Sequence, residues 1–125
     1  MVLASGWNGR FYDIMRQGAP VGVEWQGGAL KQSTYGIPRG TRHAYWGQRL
    51  FQVMAEPRLQ AIYATELAYP GLHPDTPKFV DDSVKTHLPT TPGNLERQFW
   101  ISVDWWTANG QRAQERWNRW MLRRA

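Results

Sequence analysis

Eight tryptophans in a chain of 125 residues are the tightest constraint on what this sequence can build. Each indole is large and carries one N–H donor that needs a partner once it leaves water. A chain of this length buries roughly two thirds of the surface its unfolded form exposes. That volume allows one core, not two, and eight indoles crowd it. Trp and Arg are also the residues that most often dominate protein–protein hot spots. The expectation is a single small domain over residues 1–125 whose core is completed by neighbours, not a free monomer.

Charge is placed unevenly. The net charge is +5; residues 1–58 contribute +4, residues 59–95 contribute −2 and residues 96–125 contribute +3. Basic ends suit an acidic protein surface, RNA or anionic lipid. Cysteine is absent, which removes disulfides, thiolate nucleophiles and Cys-ligated zinc. No run of about 20 apolar residues exists, so no transmembrane segment is expected. The opening MVLASGW is too short for the apolar core of a secretory leader, and none is expected.

Along the chain, the pattern predicts an α+β fold that is largely irregular. Residues 7–18 read as an amphipathic turn or helix stopped by Gly18-Ala19-Pro20. In PVGVEWQGGALKQSTYG, Val21, Val23 and Trp25 alternate and Gln26-Gly27-Gly28 turns. Ala29 to Tyr35 then returns, predicting a short antiparallel hairpin that closes the unit 7–35. Residues 41–68 read as helical, with Thr41 as a candidate cap and Pro57 either blocking the helix or opening another. AIYAT within this stretch fits strand as well as helix. Residues 69–94 hold five of the eight prolines and are expected to form a long extended loop. Residues 95–125 form the Trp/Arg helical end, with Asn109-Gly110 as a break and a last amphipathic helix from Gln111 to Arg124. Two or three helices are expected in all.

In that last helix Ala113, Trp117, Trp120 and Met121 make one apolar face, and Glu115 is spaced to pair with Arg119. The expected partner-binding residues are Trp7, Trp25, Arg42, Trp46, Trp100, Trp105, Arg116, Trp117, Arg119, Trp120, Arg123 and Arg124. The arginines would meet acids on protein subunits of a large complex. RNA is the second candidate partner, through Arg39, Arg42, His43, Tyr45 and Trp46 and again through the C-terminal arginines.

Catalysis has little to stand on. His43, His73 and His87 lie in no zinc-helix spacing. His73, Asp75, Asp81 and Asp82 could gather round a cation, although acids on a Pro-rich segment are more often solvated. Ser5, Ser33, Ser83 and Ser102 fit no nucleophile elbow, and no phosphate-binding glycine fingerprint occurs. Asp104 beside Trp105-Trp106 has no second carboxylate to work with, so it reads as a cap or as an acceptor for an indole N–H. The expectation is a non-enzyme without cofactor or metal.

Four pieces in order carry a family resemblance: VGVEWQGG (21–28), RGTRHAYW (39–46), AIYATE (61–66) and ERWNRWML (115–122). They resemble motifs of the small tryptophan-rich accessory subunit of mitochondrial NADH:ubiquinone oxidoreductase (complex I) and its related assembly factor. The resemblance implies a structural accessory subunit of the respiratory chain, basic and cofactor-free, strapped to the matrix-facing arm at the inner membrane. A ribosomal or other RNA-binding structural protein, and an axonemal protein of the microtubule lumen, fit the same physics. For either of these a cytoplasmic location is expected.

Overall fold

The computed structural model describes residues 3–123, a mixed helical fold with a small two-stranded parallel sheet. Six α-helices are present among the described residues, where the sequence pattern gave two or three. In chain order they are α1 (Asn8–Arg16), α2 (Ala44–Met54), α3 (Pro57–Leu67), α4 (Asp82–Lys85), α5 (Pro92–Leu95) and α6 (Val103–Leu122). The strands are β1 (Gly28–Leu30) and β2 (Gln98–Trp100), and a 3-10 turn spans Thr76–Phe79.

The predicted stop of α1 holds. Gly18 takes φ +87°, its N–H donates to the Met15 carbonyl at 2.9 Å, and the Ala19 N–H donates to that of Ile14 at 3.0 Å. This is the Schellman pattern, which a glycine at the left-handed position completes without strain. Pro57 opens α3 at its first turn, where a missing N–H costs nothing. AIYAT is therefore helix. Thr41 caps no helix; its Oγ1 accepts the His43 N–H at 3.2 Å, and His43 occupies the cap of α2.

The hairpin is corrected. Residues 21–25 make no strand, and β1 pairs in parallel with β2, Gly28 opposite Gln98 and Leu30 opposite Trp100. The reason lies in the turn. With φ +75°, Gly27 directs its N–H to the Arg97 carbonyl at 2.9 Å, which hands the chain to the distant strand. The alternation at Val21, Val23 and Trp25 instead belongs to a segment whose Glu24 carboxylate bonds the Gln26 N–H at 2.7 Å and Arg97.

The Pro-rich stretch 69–94 is not an extended loop either. It coils into the 3-10 turn, α4 and α5, and supplies half of the core. Val80, Val84 and Leu88 pack against Ala61, Ala64 and Ala68 of α3, with Tyr12 of α1 alongside. Val80 lies in the extended link before α4, Val84 within it and Leu88 just after it, and the small alanines leave room for them against α3. Prolines at helix starts (Pro77 and Pro92) assist these short turns instead of preventing them. One polar side chain, Thr76, is buried with this core.

Finally, α6 runs unbroken through Asn109-Gly110 for 20 residues. Ser102 caps it, its Oγ accepting the Trp105 N–H at 3.2 Å, and the Asn109 side chain turns back to the Trp105 carbonyl at 3.0 Å. A single Gly costs a helix only about 1 kcal/mol, too little to stop so long a run. Glu115 accepts from Gln111 Nε2 at 3.0 Å, one turn before it, instead of pairing with Arg119 one turn after it.

Candidate functional site

The residues expected to bind partners do not converge. Trp7 caps α1, Arg42 and Trp46 stand at the start of α2, and Arg116, Trp117, Arg119, Trp120 and Arg123 ride the second half of α6. Arg124 lies outside the described residues. Trp25 precedes β1 and is half-buried; the other seven tryptophans are each at least 42% exposed. The nucleic-acid candidates Arg39, Arg42, His43, Tyr45 and Trp46 are all exposed. Three of the four candidate cation ligands are engaged elsewhere. Asp75 pairs with Lys78 at 2.6 Å and Asp82 with Lys85 at 2.7 Å, and each ammonium holds its carboxyl below the usual aspartate range. His73 Nδ1 accepts the Asp75 N–H at 3.1 Å.

Two of the expected residues do meet a feature with chemical consequences. In sheets with parallel strands, ligands settle outside the carboxyl ends, where backbone groups and helix starts are presented together. Here β1 leads into Lys31-Gln32-Ser33, and β2 ends at Trp100 and leads through Ile101 into the start of α6 at Ser102–Trp105. The Ile101 N–H donates to the Leu30 carbonyl at 2.9 Å, closing the ladder at this edge. Lys31, Gln32 and Ser33 are exposed, as are Trp100 and Trp105.

The scaffold fixes this edge from both sides. After Ser33 the chain is laid across the helices: the Tyr35 ring lies 6.3 Å from that of Phe51, and the Ile37 side chain lies against Gly47. The start of β2 is hooked by Gln98 Nε2, which donates to the carbonyls of Pro89 and Asn94, both at 2.9 Å. Sequence reasoning missed Lys31, Gln32 and Ser33 because it placed them in the returning hairpin strand. Their one signal is an abrupt change from Gly-Gly-Ala-Leu to three polar residues.

At the opposite, amino end of the sheet, Arg97 binds Glu24. The Gln26 N–H is the main cause that holds the Glu24 carboxyl below the usual glutamate range, with Arg97 a smaller one. A lowered folded value means that the contribution to stability is present above the unfolded value and is lost as pH falls through the folded one. Exposure keeps that contribution small. In an NMR carboxyl titration, Arg97→Met is expected to raise the Glu24 midpoint only partway to its ordinary position. A complete return would mean that the Gln26 amide contributes nothing.

Two open clefts lie away from the sheet edge. One is lined by Arg58, Ile62, Glu66 and Phe79, with the Arg58 guanidinium 4.3 Å from the Phe79 ring centre. The other lies between Tyr12, Arg16, Ser83 and His87. Among the described residues no helix is long and apolar enough to cross a membrane.

No family model matches the sequence, and no solved structure matches it. Over 123 residues, 98% of this chain, it is 23% identical to a gamma-aminobutyric acid-binding protein of Pseudomonas aeruginosa. The match covers 35% of that protein, so the chain spans about a third of the relative's length. This finding overturns the complex I reading, and with it the accessory-subunit, respiratory-chain and mitochondrial assignments. The ribosomal and axonemal alternatives, and the cytoplasmic location tied to them, go with it. The end-to-end similarity is to a bacterial binding protein, whereas the complex I resemblance rested on four short pieces. Those pieces play unrelated local parts here: a turn before β1, the entry to α2, the middle of α3 and the end of α6.

Proposed function

We propose that this chain forms part of a binding protein for a small zwitterion of the gamma-aminobutyrate class, held at the carboxyl edge of the parallel strands and not converted. The observation that carries this reading is the similarity to the Pseudomonas binding protein, which runs across the whole sheet and both segments of its carboxyl edge. The chemistry of the edge agrees. Gamma-aminobutyrate carries a carboxylate and an ammonium at opposite ends. The Lys31 ammonium and the positive end of α6 both favour a carboxylate. The exposed faces of Trp100 and Trp105 suit an ammonium, a contact worth roughly 0.5–2 kcal/mol. The edge is open, so these residues make one wall of a site and not a closed pocket.

The test is an amide-correlation NMR titration of the chain with gamma-aminobutyrate. Shifts are expected at Lys31–Ser33 and at the indole N–H signals of Trp100 and Trp105. Lys31→Ala is expected to weaken the response about tenfold or more, the loss of one charge-assisted hydrogen bond. Shifts confined to other regions, or no shift up to about 10 mM ligand, a threshold near −3 kcal/mol, would sink the reading.

A further inference from the structure

Val103, Trp106, Gly110, Ala113, Trp117 and Met121 follow one another at steps of three and four, which sets them along a single stripe of α6. The helix is about 30 Å long, and not one of its described side chains is buried. Trp106 is 51% and Trp117 55% exposed, and Val103 and Met121 are exposed with them. Between the two indoles, Gly110 and Ala113 carry little or no side chain and are partly exposed, with the Trp106 ring beside Gly110.

The charges are elsewhere on the helix. At 100° per residue, Arg112, Arg119 and Arg123 fall well away from the stripe, while Arg116 stands at one border beside Trp120, whose ring lies 4.9 Å from that of Trp117. The other border of the stripe is made of neutral amides: Gln114 Nε2 donates to Asn118 Oδ1 at 2.9 Å, with Gln111 one turn before. Whatever covers the stripe therefore meets mostly apolar and neutral groups, with Arg116 alone at its margin. Phosphate backbones and anionic headgroups do not fit this arrangement; an apolar protein surface does. Contiguous uncovered apolar surface of this kind marks a protein interface.

The chain matches 35% of its Pseudomonas relative and is covered almost end to end by that match. The other two thirds of that binding protein have no counterpart among these residues. We propose that the α6 stripe is the seat for the portion of a binding protein corresponding to those two thirds, with an apolar side chain of that portion set against Gly110 and Ala113. This rests on the binding-protein reading.

The test grafts residues 3–123 into the Pseudomonas protein in place of its matched third and compares the graft with the free chain by hydroxyl-radical footprinting. Trp106 and Trp117 are expected to react at least about tenfold more slowly in the graft, which should sediment as a monomer. Trp106→Asp with Trp117→Asp should abolish that protection and the graft's cooperative melt, while the free chain keeps its helical circular dichroism, because there the stripe covers nothing. A free chain that forms a closed dimer protecting both indoles, or that binds anionic vesicles through them, overturns the proposal. So does a graft in which they react as in the free chain. The readout needs no ligand: a protected graft that fails to bind gamma-aminobutyrate leaves the docking intact and removes only the ligand assignment.

Discussion

Gly9→Ala is expected to destabilise the chain by about 2–3 kcal/mol, within the range for overpacking, and Gly9→Val should prevent α1 from docking at all. The direction is the reverse of the usual one. Replacing a helix glycine by alanine ordinarily gains roughly 0.5–1 kcal/mol. At Gly9, buried in the first turn of α1, a Cβ would overlap the Leu67 carbonyl oxygen and come within 3.0 Å of the Tyr69 ring. Backbone cannot yield as a side-chain tip can. The same crossing is tied by Asn8 Nδ2, which donates to the Ala68 carbonyl at 2.7 Å. Ala68 ends α3 with φ +52° and is fully buried. Gly93→Ala is the control, since a Cβ there meets nothing within 4 Å. Thermal melts of the two variants measure the difference directly. Equal melting temperatures would mean that α1 does not cross α3 at Gly9.

Gln60→Leu is the second large effect expected, about 2–3 kcal/mol. One side chain joins three segments here. Its Oε1 accepts the His73 N–H at 2.9 Å and the Thr76 hydroxyl at 3.1 Å, and its Nε2 donates to the Met54 carbonyl at 3.0 Å. Thr76 is buried, so leucine strands a hydroxyl and an amide without an acceptor, each a penalty of about 1–3 kcal/mol when desolvated. Gln60→Glu keeps both acceptors and loses the donor to Met54, so its cost should be smaller. Hydrogen exchange at the His73 amide separates the two, fast in Gln60→Leu and slow in Gln60→Glu. Equal exchange in both would show that the side chain does not organise the loop.

What could be read in the sequence followed local rules. The end of α1 was legible because Gly18 sits where a Schellman motif needs it, and the apolar spacing of α3 survived the ambiguity of AIYAT. Long-range pairing was not legible. An alternating segment beside Gly-Gly resembles a hairpin, and nothing local in Gly28–Leu30 announces Gln98–Trp100 as its neighbour. Prolines misled in 69–94, because their helix-starting role at Pro77 and Pro92 looks the same as loop composition. The candidate edge was half visible. Trp100 and Trp105 stand out as aromatics, but Lys31, Gln32 and Ser33 gain their place only from the strand order. The amphipathic character of the last helix was legible as well, with Trp117 and Met121 on one face and Arg112 and Arg119 on other sides.

The parallel ladder also dictates an order of events. Gly28 finds its partner at Gln98, seventy positions on. Joining ends so far apart costs about 4 kcal/mol of closure entropy in a flexible chain. Two strands of three residues cannot offset that alone. The intervening helices must come together first and shorten the gap, so the sheet is the last part of the chain to assemble. Lys31 and Trp100 become neighbours in that final step, and a solute bridging them would act as a clasp on the whole molecule.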